Sequence, residues 1–262
     1  MSHGRVYSKA ELYDIAFDFR DVPAECDALL KFADRYSGRA ARSFLDLAAG
    51  PAAHVCEMAG RGLRSLAVDL TPEMVDLGRR KASEESVTIE YVEADIAAFS
   101  IDEPVDLAAI LMGSLGTLLD NDSVLAHLGC VADALVPGGI YVIEMSHPRE
   151  AFGVGEATSD DWVSERDGTT VHMIWGGDND RFDPITQIDE VTVTLKWKQG
   201  EDSGEIIEVA PDHRIVPNEL RALVTASGRF EIIAELGGWD PDLPITNQPE
   251  SWRFILILRR IA

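Results

Sequence analysis

The sequence predicts an α/β fold: a doubly wound, seven-stranded, mostly parallel sheet whose last strand is antiparallel, with an antiparallel β insertion after the fifth strand. Three observations lead there. Beyond residue 40, near-continuously apolar runs alternate with helical patterns, as parallel strands buried on both faces do. The helices between them carry their own punctuation, Thr71-Pro72 at one start and "VPGG" (136–139) after another. After residue 148 the pattern changes to strict alternation, the mark of half-buried antiparallel strands.

In order, "SFLDLA" (43–48), "SLAVDL" (65–70), "VTIEYVEA" (87–94), "VDLAAILM" (105–112) and "GIYVIEM" (139–145) read as the five core strands. A helix from about Ser123 to Leu135 places Val124, Leu128, Val131 and Leu135 on one face. Residues 149–168 are polar and glycine-containing and read as a mobile loop. "TTVHMIW" (169–175), "QIDEVTVTLKWK" (187–198) and "GEIIEVAPDHRIV" (204–216) read as the antiparallel insertion, the last two joined by "QGEDSG". "PNELRALVTASG" is a helix with Gly228 past its end, and "RFEIIAEL" and "WRFILILRR" are strands six and seven.

Acidic residues outnumber basic ones 46 to 23, a formal charge of −23, which opposes nucleic acid and anionic membrane as partners. Cys26, Cys56 and Cys130 are widely spaced, lie in helical patterns and show no metal-ligand spacing, so buried thiols in a reducing compartment are expected. No signal pattern opens the chain and no 18-residue apolar run occurs, so a cytoplasmic location is expected.

The turn "LDLAAGPAAH" (45–54) joins a strand to a helix with one glycine, Gly50, where dinucleotide loops carry several. Alanine at 48 and 52 fills space that a pyrophosphate would need, unlike a ligand without one. Asp69 ends the second strand, where a carboxylate can accept from two ribose hydroxyls. "EADIAAF" (93–99) puts Asp95 and Ile96 at the end of the third strand, suited to an adenine amino group and ring.

As an ordered set, "LDLAAGPAAH", "AVDLTPEMV", "EADIAAF" and "LVPGGIYVIE" resemble the class I S-adenosylmethionine (SAM)-dependent methyltransferases, small-molecule branch. The resemblance covers residues 40–148 closely and the last helix–strand–strand unit more loosely. It implies SAM as cofactor, with Asp46, Ala48, Gly50, His54, Asp69, Leu70, Asp95, Ile96, Met112 and Ser114 around it. "ELYDIAFDFRD" resembles that branch's lid, which singles out Tyr13 as a residue of the reaction. Leu12, Ile15, Ala16 and Phe19 form a helical stripe that reads as core. The implied organisation is residues 1–39 as lid helices, 40–148 as SAM-binding core, 149–216 as β insertion covering substrate, and 217–262 as core completion.

Methyl transfer from a sulfonium is an in-line displacement in which the protein mainly aligns the partners. A hydroxyl or protonated amine also needs a base, and His147, directly after the fifth strand in "EMSHP", is the candidate, although a histidine there also serves as a backbone anchor. His172 and His213 lie in the insertion and His3 in the N-terminal tail; Trp162, Trp175 and Trp197 are candidates for an apolar substrate wall. The fourth strand ends "ILMGSLG", without the Asn/Asp-Pro-Pro-aromatic tetrad of base-amino methyltransferases and without a carboxylate to start a divalent-metal site. The expectation is metal-independent methylation of N or O on a small molecule. A non-catalytic binder of SAM or its demethylated product and an NAD-dependent oxidoreductase stay open as alternatives, as does association of the chain with copies of itself.

Overall fold

A computed structural model describes residues 5–151 and 161–261. Two helices, α1 (Ala10–Ala16) and α2 (Val22–Ser37), precede the sheet. The core then runs β1 (Ser43–Leu47), α3 (Ala53–Gly60), β2 (Arg64–Asp69), α4 (Pro72–Glu84), β3 (Glu90–Glu93), β4 (Val105–Ile110), a 3-10 turn (Ser114–Thr117), α5 (Asn121–Ala134) and β5 (Leu135–Ser146). A short α6 (Pro148–Ala151) leads away from the sheet. Then come β6 (Asp161–Arg166), β7 (Thr169–Trp175), β8 (Arg181–Asp183), β9 (Ile188–Gln199) and β10 (Asp202–His213). The chain closes with α7 (Pro217–Ser227), β11 (Phe230–Leu236) and β12 (Arg253–Arg260).

The large sheet has the order β11-β12-β5-β4-β1-β2-β3, with β12 antiparallel to both neighbours and the other pairs parallel. Its apolar strands are buried on both faces: Leu45, Leu66, Ile110 and Tyr141 pack with α5 and α7, and Phe44, Ala67, Leu107 and Val142 with α2 and α3. Each such aliphatic side chain contributes about 1.5–3 kcal/mol. The order reverses beside β1, so the carboxyl ends of β1, β2 and β4 open a crevice there.

Helix ends follow local chemistry. Asp21 caps α2 through Ala24 N–H (3.1 Å), and Asp120 caps α5 through Ser123 N–H (2.7 Å). Thr71 stands at the cap position of α4, but its side chain makes no capping bond.

The second sheet, β10-β9-β7-β6 with β8 on β9, packs its inner face, including Val171, Met173, Val193, Leu195 and Ile206, against Val6, Ile15 and Ala16. Several expectations change in detail. Within the stretch read as a loop, 161–166 is a strand with alternating exposure, and 152–160 lies outside the described residues. β5 begins at Leu135, because the "PGG" segment bulges within the strand and does not precede it. Phe19 is 61% exposed: α1 ends at Ala16, so the helical phase that would bury it is lost. No helix among the described residues is long and apolar enough to cross a membrane.

Candidate active site

A cavity of about 540 Å³ opens at the carboxyl ends of β1, β2 and β4, under α1. Its first wall is the turn after β1. Ala48, Gly50 and Ala52 all adopt left-handed backbone, with φ of 54°, 53° and 62°. Glycine does this without strain, whereas alanine there costs about 1–2 kcal/mol. The turn is held open by side chains from its neighbours. Asp69 accepts from Gly50 N–H (2.8 Å) through one oxygen and from Thr71 N–H (2.9 Å) through the other. Tyr91 donates its hydroxyl to the Gly50 carbonyl, and a glycine at 78 in α4 leaves room for that ring. Burial raises the Asp69 carboxyl, and the N–H groups of Thr71 and Gly50 pull it back.

Beneath the turn lies a buried chain of charges. His54 Nε2 meets Glu25 at 2.7 Å, and its Nδ1 stands 4.0 Å from Asp46. Arg20 binds the same Glu25 through Nε and a terminal nitrogen (3.2 and 2.5 Å). Burial pushes the Asp46 carboxyl up to about 6, against the pull of His54 and Arg20. Burial also pushes Glu25 upward, but the His54 hydrogen bond and the Arg20 guanidinium outweigh it and leave that carboxyl low.

On the far side, Asp95 accepts from Ala97 N–H (2.8 Å), and the Ile96 carbonyl accepts from His127 Nδ1 (2.8 Å). A carbonyl can only accept, so His127 carries its proton on Nδ1 and takes the Tyr141 hydroxyl proton at Nε2 (2.6 Å). Burial holds His127 down to about 4, so it stays neutral. After β4, Met112 N–H donates to Glu144 (2.9 Å) on β5, and Arg253 Nε stands 3.0 Å from the same carboxylate, an ion contact with its N–H aimed elsewhere.

The roof is aromatic. Tyr13 lies between Tyr7 (ring centroids 5.4 Å) and Phe17 (4.5 Å), and all three line the cavity. Burial raises both phenols, so they remain protonated. Asp14 fastens this roof to α4 and β6, through Lys81 (2.8 Å) and Arg166 (2.5 Å).

The structure therefore brings Asp46, Ala48, Gly50, His54 and Asp69 around one cavity with Leu70, Asp95, Ile96, Met112 and Ser114, and Tyr13 above them. His147 is not among them. It is buried at the end of β5, with Nε2 donating to Thr246 carbonyl (2.9 Å) and Nδ1 accepting from Arg149 N–H (3.2 Å), so no ring nitrogen is left for a base at the cavity. His172 pairs with Asp161 and His213 with the Leu118 carbonyl; His3 lies outside the described residues. The tryptophans are not among the residues that line the cavity: Trp162, Trp175 and Trp197 pack in the cluster between the insertion and the N-terminal segment. Tyr7, Arg20, Glu25, Lys81 and Arg166 escape the sequence reading. Glu144 offered a signal, a carboxylate inside an apolar parallel strand.

A family model for a methyltransferase domain matches residues 44–139. The dTDP-3-amino-3,4,6-trideoxy-alpha-D-glucopyranose N,N-dimethyltransferase of Streptomyces venezuelae is 25% identical over 169 residues, which cover 63% of this chain and 68% of the relative. Among solved structures, a SAM-dependent methyltransferase from Clostridium acetobutylicum superposes with a TM-score of 0.78 at 16% identity, over 97% of this chain and 98% of its own. A sugar N-methyltransferase from Streptoalloteichus gives 0.75 at 19%, over 100% and 95%. At such identities these two likenesses are likenesses of fold.

Proposed function

We propose that this chain is a class I SAM-dependent methyltransferase that methylates the nitrogen of a small amine, without a metal. The observation carrying the choice of nitrogen is the state of the imidazoles. Among the described residues, His54 alone lines the cavity, and it is committed to Glu25. An aliphatic hydroxyl needs a base before it can attack; a neutral amine brings its own lone pair. The Streptomyces relative, named as an N,N-dimethyltransferase, is in keeping with this.

The residues present fit SAM. A cationic ligand suits a cavity lined by Asp46, Asp69 and Asp95, and a pyrophosphate, as in NAD, would meet those carboxylates and the methyl groups of Ala48 and Ala49. Asp69 would exchange its backbone partners for, or share them with, ribose hydroxyls. Asp95 and Ile96 would take adenine, Arg20 the carboxylate, and Asp46 the ammonium of the amino-acid end. When bound, SAM supplies a methyl group activated by a sulfonium. The chain's part is to align the acceptor: the neutral phenols of Tyr13 and Tyr7 hydrogen-bond the amine and Phe17 excludes water, while Met112 and Ser114 form the opposite wall.

Calorimetric titration with SAM, with its demethylated product and with NADH as control tests the reading. Binding of the first two alone is expected, and Asp69→Ala should weaken it by about 1–3 kcal/mol. Incubation of the loaded enzyme with amines and alcohols then separates nitrogen from oxygen; methylation of alcohols alone would sink the choice of nitrogen.

A further inference from the structure

The cavity is lined by six aspartates, Asp14, Asp18, Asp46, Asp69, Asp95 and Asp120, against three fixed cations, Arg20, Lys81 and Arg166. Each cation is already claimed. Lys81 and Arg166 share Asp14 (2.8 and 2.5 Å), Arg166 also meets Asp18 (3.3 Å), and Arg20 is held by Glu25 with Glu144 at 3.9 Å. Residues 1–4 and 152–160, outside the described set, contain no lysine or arginine that could add another.

Helix N-termini are the other common phosphate sites in such folds. Three border the cavity: the uncapped start of α3 at Ala53, in the turn that the amino-acid end of SAM would fill, and the starts of α4 and α5, which the chain's own carboxylates cover. Asp69 takes Thr71 N–H at the start of α4 (2.9 Å), and Asp120 takes Ser123 N–H at the start of α5 (2.7 Å). A phosphate entering this space would have to break an internal ion pair or displace a carboxylate, inside a protein whose net charge already repels it.

We infer that the amine acceptor of this enzyme carries no phosphate or nucleotide handle, because every cation and helix terminus at the cavity that could hold one is either neutralised by the chain itself or, as with Arg20 and the start of α3, taken up by the amino-acid end of SAM. The acceptor class is a free amine, neutral or cationic, such as an unphosphorylated amino sugar or an alkylamine. This departs from the dTDP-linked amino sugar in the name of the Streptomyces relative, and it rests on the methyltransferase reading above.

The test titrates the protein, loaded with demethylated SAM, with dTDP and follows methylation of a panel of free amines in its presence. Wild type should show no dTDP binding below about 1 mM and no inhibition. Asp14→Asn, which frees Lys81 and leaves Arg166 with Asp18 alone, should bind dTDP at least about tenfold more tightly than wild type. Micromolar, acceptor-competitive binding of dTDP by wild type would overturn the inference. Equally weak binding by both proteins would overturn the role given to the ion pairs. Titration of SAM itself into both proteins keeps the two levels apart: a protein that takes neither SAM nor its product refutes the underlying reading, whereas one that takes SAM and dTDP refutes only this one.

Discussion

Asp46 shows how a buried carboxylate at the cavity costs stability. Its carboxyl is raised from 3.8 to about 6, chiefly by burial, so the folded state holds that proton more tightly than the unfolded chain does. The resulting stabilisation is complete below about pH 4 and lost as pH rises through about 6. Above that, the fold carries a buried anion. Asp46→Asn should therefore raise stability by about 1–3 kcal/mol at pH 8 and by much less at pH 4, read by urea unfolding at both. The same variant should bind SAM more weakly, and wild-type affinity should fall as pH drops below 6, where binding must first expel the proton. His127 works the other way, as a support. His127→Leu strands the Ile96 carbonyl and the Tyr141 hydroxyl, at about 1–3 kcal/mol for each buried group left unpaired, measurable in the same unfolding experiment. The sequence gives no sign of this pair, because its partners lie 31 and 14 residues away.

Among elements, the turn after β1 depends on α4. A Cβ at Gly78 would come within 2.5 Å of the Tyr91 ring and 3.0 Å of Ala52. Gly78→Ala should push the ring aside, release the Gly50 carbonyl and destabilise the protein by about 1–3 kcal/mol, with a larger loss in SAM affinity than any substitution on the exposed face of α4. Thermal unfolding with and without SAM checks this. Four of the five core strands were legible as apolar runs at the right spacing and β3, Glu90–Glu93, from its place in the alternation; the cavity-lining positions at their ends followed from that order. β6 was not legible: six residues with charges at 161, 165 and 166 carry too little pattern. Nor was the environment of His147. Its position after β5 is local information, but what it faces is decided by Thr246, 99 residues on.

Over the whole molecule, the charge of −23 sets a negative field around a site for a cationic ligand. Association with SAM should be fast at low ionic strength and slow several-fold between about 50 and 500 mM salt, while dissociation changes little, as stopped-flow mixing would read. Long-range pairing is also what joins the two sheets into one site. Asp14 ties α1 to α4 and β6, and the free carbonyl at the end of α1, on Ala16, accepts from Trp162 Nε1 (2.7 Å) and Ser164 Oγ (3.0 Å) on β6. The Trp162 ring stands edge-on to Phe17, 5.4 Å away, and Phe17 lines the cavity. The protein thus has an optical gauge built into its roof. In a variant that keeps Trp162 and replaces the other four tryptophans with phenylalanine, the colour and brightness of one indole would report the position of α1 in real time.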